Sequence, residues 1–212
     1  MSVTAFSFPT NIQFGAGARR LVAAHLREAG YQRPLLVTDK ALATLPVLDE
    51  FKTHLEGLDV AVFSGVFGNP TTSQVMAGAV AFIGHRADCI IGFGGGAALD
   101  VAKLVGVAAT HTGDIIEYAW DHPQSRAIEH SLPYLVTLPT TAGTGSEVGR
   151  ASVISEDDSH LKRVVFHPKL LAKCVFADPE LTLSLPPHIT AATGIDALTH
   201  NIESYLSPAY HP

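Results

Sequence analysis

The sequence predicts an α/β fold: a parallel-sheet domain over residues 1–185, followed by the start of an all-helical domain over residues 186–212. Three observations predict it. Short runs such as Pro34-Leu35-Leu36-Val37 and Cys89-Ile90-Ile91-Gly92-Phe93 are apolar at consecutive rather than alternate positions, the pattern of strands covered on both faces. Early runs of this kind are followed by stretches at helical spacing, so the strands run parallel through right-handed crossovers. After Pro186 the strand signals stop, and Ile189, Ala192, Ile195, Leu198, Thr199 and Ile202 recur at helical spacing.

In chain order, Phe6 to Phe8 and Ile12 to Phe14 cluster around Pro9-Thr10-Asn11 and suggest a short hairpin, leading through Gly15 and Gly17 into a helix over residues 18–29. Residues 34–39 form a short apolar run ending in an acid. A helical stretch around residues 47–55 and a β-branched strand at 59–63 follow. Asn69-Pro70-Thr71 breaks the chain, and Thr72 or Ser73 is placed to cap a helix running to about His85. Residues 88–93 read as a third buried strand and 97–109 as the next helix. Two more strands, at 134–138 and 173–177, flank a region read as loop and rich in Gly, Thr and Ser. No internal repeat or low-complexity stretch occurs.

At about 150 residues per domain, 212 residues make one large or two small domains with a real core. Only 16% of residues are charged, against roughly 25% in a typical soluble protein, so much of the chain is buried on both faces or against a partner. That composition excludes disorder and points to a homo-oligomer. The 14 Lys and Arg against 20 Asp and Glu leave a net charge of -6, without the basic patch that nucleic acid requires. Cys89 and Cys174 each sit in an apolar run and read as reduced core residues of a cytoplasmic protein. The first residues lack a basic, apolar leader, and no segment offers the ~20 uninterrupted apolar residues that cross a bilayer.

The strongest chemical feature is Gly92-Phe93-Gly94-Gly95-Gly96-Ala97-Ala98-Leu99-Asp100, where an apolar strand gives way to a helix. Glycines there let a ligand approach the backbone, and the helix N-terminus offers free N–H groups and partial positive charge to a diphosphate. The bland alternative is a tight turn, for which one glycine suffices. The pattern is not the usual Gly-x-Gly-x-x-Gly fingerprint, and the candidate ribose acid, Asp39, precedes the glycines instead of following them. Asp39 ends its strand, where a carboxylate accepts hydrogen bonds from a ribose 2′-hydroxyl and repels a 2′-phosphate; it serves equally well as a helix cap. Leu138 through Glu147 packs hydroxyls behind another strand, suited to phosphate or carboxamide, or merely to a surface loop.

Asp196 and His200, four residues apart on the last helix, face the same way and suit two ligands of one divalent cation, or form a surface pair. His111, His122, His160, His167, His188 and His211 have no comparable spacing. Lys162, read alone, is a solvated lysine in a charged loop.

Together, Asn69-Pro70-Thr71, the run Gly94-Gly95-Gly96-Ala97-Ala98-Leu99-Asp100-Val101-Ala102-Lys103, Leu138 through Glu147, Asp178-Pro179-Glu180-Leu181-Thr182 and Ala192-Thr193-Gly194-Ile195-Asp196-Ala197-Leu198-Thr199-His200 resemble the iron-containing (group III) alcohol dehydrogenases. These five ordered motifs span essentially the whole chain. The resemblance implies a nucleotide-binding α/β domain and a helical domain, with NAD(P) and one divalent metal between them. Carried over by motif, Asp39, Asn69, Gly95, Gly96, Thr140, Thr141, Lys162 and Leu181 would contact the cofactor, while Asp196 and His200 would bind Fe2+ or a substituting Zn2+. Asp39 favours NAD over NADP.

Two positions depart from the family pattern: Ala97 stands where a Ser is usual, and Gly149 where a Thr is common. Each loses about 0.5–1.5 kcal/mol of neutral hydrogen bonding. Family chains also continue into a helical domain with two further histidine ligands, which this sequence does not reach, so the resemblance implies a truncated or fragmentary enzyme. The implied reaction is reversible hydride transfer between a small alcohol and aldehyde or ketone and NAD(P); no side chain is named as proton acceptor. The alternatives are a metal-free enzyme resembling maleylacetate reductase, against which Asp196 argues, and a non-catalytic nucleotide-binding fragment.

Overall fold

The computed structural model describes residues 10–208. Its centre is a six-stranded, wholly parallel sheet of β1 (Asn11–Phe14), β2 (Pro34–Asp39), β3 (Ala61–Val66), β4 (Cys89–Gly94), β5 (Tyr134–Pro139) and β8 (Cys174–Ala177), in the order β1-β8-β5-β4-β2-β3. A separate antiparallel hairpin joins β6 (Ala151–Ser155) to β7 (Lys162–Phe166). The helices are α1 (Val22–Glu28), α2 (Pro46–Thr53), α3 (Thr72–His85), α4 (Gly96–Thr110) and α5 (Pro187–Leu206).

Alternation along the inner strands explains their consecutive apolar residues. Leu35, Val37, Ile90, Leu135 and Val175 feed one core with Val75 of α3 and Val101, Leu104 and Val105 of α4. Leu36, Ile91, Phe93, Val136, Leu138 and Phe176 point the other way, into a second core with Val22 and Leu26 of α1 and Leu48 and Phe51 of α2. Phe51 and Phe93 stack there with ring centroids 4.8 Å apart. Each such fully buried side chain contributes about 1.5–3 kcal/mol relative to exposure. The two predicted core cysteines are free and buried, and burial pushes both thiols above their ordinary range.

Strand order decides where a ligand binds. From β2 the chain adds β3 on one side, then crosses to place β4 and β5 on the other, so the order reverses between β2 and β4. In an open parallel sheet the crevice beyond the strand C-termini at such a reversal is the natural ligand site. Here it lies between Asp39 and Gly94, the last residues of β2 and β4.

Three details of the sequence reading change. The region between the fifth and last sheet strands is not all loop: it holds the β6–β7 hairpin, so Lys162 opens a strand. The N-cap of α3 is Thr71, whose hydroxyl accepts from the Gln74 N–H. Thr72 and Ser73 instead meet Asp157 of the hairpin turn, which accepts from the Thr72 hydroxyl, from the Ser73 N–H at 2.8 Å and from the Ser73 hydroxyl at 2.6 Å. A carboxylate at a helix N-terminus is favourable, and those donors hold Asp157 down at about 2. Finally, Ile12 to Phe14 belong to β1, which pairs in parallel with β8; Phe6 to Phe8, the other arm of the expected hairpin, lie outside the described residues.

Helix α5 follows Pro186 as expected, with Pro187 at its first turn. None of its residues is buried, and Ile195, Leu198 and Ile202 stand exposed. Among the described residues no strand follows it, and no helix is long and apolar enough to cross a membrane.

Candidate functional site

The strand-to-helix turn at the reversal point is built by glycine for steric reasons. Gly94 takes φ +150°, a region that side chains rarely adopt, and a Cβ on Gly96 would stand 2.7 Å from Thr144 Cγ2 and 2.9 Å from its hydroxyl. Gly95 is the N-cap of α4 and has no side chain to satisfy the first N–H groups of the helix, the arrangement that suits an anion at a helix N-terminus. Beside the turn, Asp39 Oδ1 accepts from the Leu42 N–H at 2.7 Å, so Asp39 both holds the start of the following segment and lines the cleft.

Two cavities meet at this point. The first, about 570 Å³, runs from Asp39 and Lys40 past Phe67 to Gly95, Gly96 and Thr141. The second, about 610 Å³, contains Asn69, Lys162, Asp196 and His200. Both are lined by Gly96, Ala97 and Thr144, so the N-terminus of α4 divides one long cleft into two arms. Thr144, which the sequence reading passed over within its hydroxyl-rich motif, is the hydroxyl-bearing residue that lines both.

On α5 the Asp196 carboxylate and His200 imidazole come together at the mouth of the second arm. His200 Nε2 lies 3.8 Å from Asp196 Oδ1, with the side chains 53% and 42% exposed. Oxygen and imidazole donors one helical turn apart fit two positions of a divalent cation. Among the described residues no group of three or more His, Cys, Asp or Glu side chains is arranged to hold a metal.

A second polar cluster, which sequence reasoning missed, floors the same arm. Asp100 and Lys103 of α4 meet Ser146: the Ser146 hydroxyl donates to Asp100 Oδ1, and Lys103 Nζ donates to Ser146 Oγ at 3.2 Å and to the Ala151 carbonyl at 2.8 Å. Asp100 Oδ2 accepts from the Val153 N–H at 2.9 Å. Burial raises the Asp100 carboxyl and lowers the Lys103 ammonium from their ordinary values, each opposed by the partner's charge.

Of the residues singled out by sequence, Asp39, Asn69, Gly95, Gly96, Thr141, Lys162, Asp196 and His200 all line the two arms. Thr140 and Leu181 line neither. Thr140 is buried, its N–H donating to the Gly94 carbonyl at 3.0 Å, so it braces the glycine turn through its backbone. Leu181 is buried in the core shared with α1 and α2.

The iron-containing alcohol dehydrogenase family model matches residues 9–179. The chain belongs to that family. A 4-hydroxybutyrate dehydrogenase from Cupriavidus necator is 40% identical to this chain over 204 residues, which are 96% of this chain and 53% of the relative. The crystal structure of a 1,3-propanediol oxidoreductase has a TM-score of 0.90 at 36% identity, with 99% of this chain and 55% of that one covered. Sulfoacetaldehyde reductase from Bifidobacterium kashiwanohense, solved in complex with NAD+, has a TM-score of 0.92 at 29% identity, with 100% and 56% covered. This member of the family spans about half the length of the curated relatives it matches.

Proposed function

We propose that the chain is the cofactor-binding part of a metal-dependent alcohol dehydrogenase that transfers hydride reversibly between a small alcohol and aldehyde or ketone and NAD. One observation carries the reading: the free N-terminus of α4 sits where the two arms join, with Asp39 along one and Asp196 and His200 along the other. A dinucleotide has the matching layout, two nucleoside ends on a central diphosphate.

The N–H groups of the glycine turn and the hydroxyls of Thr141 and Thr144 receive the diphosphate. Asp39 accepts from the adenosine ribose and repels a 2′-phosphate. Asn69 and Lys162, which line the same arm as Asp196 and His200, would hold the nicotinamide half. Asp196 and His200 supply two ligands to Fe2+ or Zn2+; a catalytic centre ordinarily has three protein ligands. When bound, the dinucleotide carries the hydride and the cation polarises the alcohol oxygen. Asp196 beside His200 favours this over the metal-free alternative. The two free, buried thiols support a cytoplasmic setting.

Fluorescence titration of the chain with NADH and NADPH tests the reading. NADH is expected to bind about tenfold or more tightly than NADPH, a difference of ~1.4 kcal/mol set by repulsion at Asp39. Asp39→Ala is expected to remove most of that preference. Equal affinities in the unaltered chain would refute the assignment to NAD.

A further inference from the structure

We propose that Asp100 and Lys103 are positioning residues: they fix the segment from Thr144 to Val153 as the wall of the second arm, and so set how the nicotinamide half of the cofactor is held. This rests on the dinucleotide reading above. Residues 141–150 contain no strand or α-helix, only a 3-10 turn at Ser146–Val148, and none of them is fully buried. Val148 packs only partly against the core. Polar anchors therefore carry the segment, and they converge on one pair.

Asp100 and Lys103 are set in a helix whose neighbouring residues Val101, Ala102, Leu104 and Val105 are all buried. The Lys103 side chain is 0% exposed, with its ammonium 3.7 Å from Asp100 Oδ1. A buried ion pair in an apolar helix contributes little net stability compared with well-packed apolar residues, so its place here points to registration of a neighbouring element. The bonds match that role. Ser146 is gripped at the near end of the segment, and Ala151 and Val153 at the far end. Ser152 Oγ also reaches the Asp100 carbonyl, at 3.3 Å. From Ser146 the constraint passes on: its N–H donates to the Thr144 hydroxyl at 3.2 Å, keeping Thr144 against Gly96, where the two arms join. Glu147 adds a charge that favours the Lys103 ammonium.

The test compares two probes on the full chain, NADH and ADP, with amide hydrogen exchange as a readout that needs no ligand. ADP occupies only the diphosphate turn and the Asp39 arm. Asp100→Asn is expected to weaken NADH binding about tenfold, the scale of one or two lost hydrogen bonds, while ADP affinity changes by less than about twofold. Exchange in residues 144–149 should quicken while α4 stays protected. Ser146→Ala removes only the bridging hydroxyl and should shift the same readouts in the same direction, so it decides the matter if Asp100→Asn fails to fold. Equal weakening of NADH and ADP, or unchanged exchange in 144–149, overturns the positioning role. If the unaltered chain binds neither probe, the cofactor reading falls by itself, and the exchange data still decide whether the pair holds the segment.

Discussion

Arg19→Met is expected to lower the free energy of unfolding by about 3–5 kcal/mol, the scale of breaking a buried ion pair from one side. Arg19 Nη1 donates to Asp178 Oδ2 at 2.6 Å and to Glu180 Oε2 at 2.7 Å, and Nε reaches Glu50 at 3.1 Å. The Arg19 side chain is 11% exposed and that of Asp178 0%, so removing the guanidinium strands a carboxylate with no access to water. Burial alone would raise Asp178; the Arg19 side chain and the backbone N–H groups of Arg19, Gly17 and Glu180 overcome it and hold the carboxyl below its ordinary 3.8. Glu50 is likewise depressed, by Arg19 and His54 acting against desolvation. A depressed carboxylate contributes stability that is present above its unfolded pKa and disappears as pH falls through the folded one. The parent should therefore lose stability below about pH 4, and Arg19→Met should lose less over the same window. Urea unfolding at neutral and acid pH reads both effects; a neutral-pH loss under about 1 kcal/mol would show that the cluster behaves as an exposed one.

The second large effect is expected at the glycine turn. Gly96→Ala would press a Cβ to 2.7 Å from Thr144 Cγ2 and 3.0 Å from Thr144 Cβ, and because threonine is branched at Cβ the whole residue must move. Stability should fall by about 1–3 kcal/mol, as in other overpacked sites. Binding of NADH should weaken by about tenfold to a hundredfold, because the same methyl intrudes on the helix N-terminus proposed to receive the diphosphate. Thr144→Ala in the Gly96→Ala background removes Cγ2 and the hydroxyl. It should restore part of the stability, since Thr144 Cβ remains 3.0 Å away, without restoring affinity. Recovery of both would mean that the glycine serves packing alone.

How much of this was legible in the sequence depended on how strongly each element was over-determined. β2, β4, β5 and β8 stood out because both faces are buried and, apart from Thr38, Asp39 and Thr137, their positions carry no polar side chain beyond the Tyr134 hydroxyl. The β6–β7 hairpin did not: Ala-Ser-Val-Ile-Ser and Lys-Arg-Val-Val-Phe are half polar, and only Ser152, Ile154, Ser155 and Val165 are buried. The alternation is there, but too short to outweigh the surrounding Gly, Ser and Thr. Thr71 caps α3 in place of the expected Thr72 or Ser73, whose donors are taken by a carboxylate that arrives from Asp157, about 85 residues away. Gly94 to Gly96, Asp39 and the Asp196–His200 spacing were readable locally, since their chemistry depends on near neighbours. Asp100 and Lys103 look like an ordinary i, i+3 surface pair; only the fold, by laying β6 across α4, buries them.

The most direct test of the central claim is a crystal structure of the chain with NAD+ and Zn2+ added. The account predicts the diphosphate over the N–H groups of Gly95 and Gly96, the adenosine ribose at Asp39, and the nicotinamide in the arm of Lys162, facing a cation on Asp196 and His200. A dinucleotide bound in the reverse sense, or with its diphosphate away from the α4 N-terminus, would contradict it.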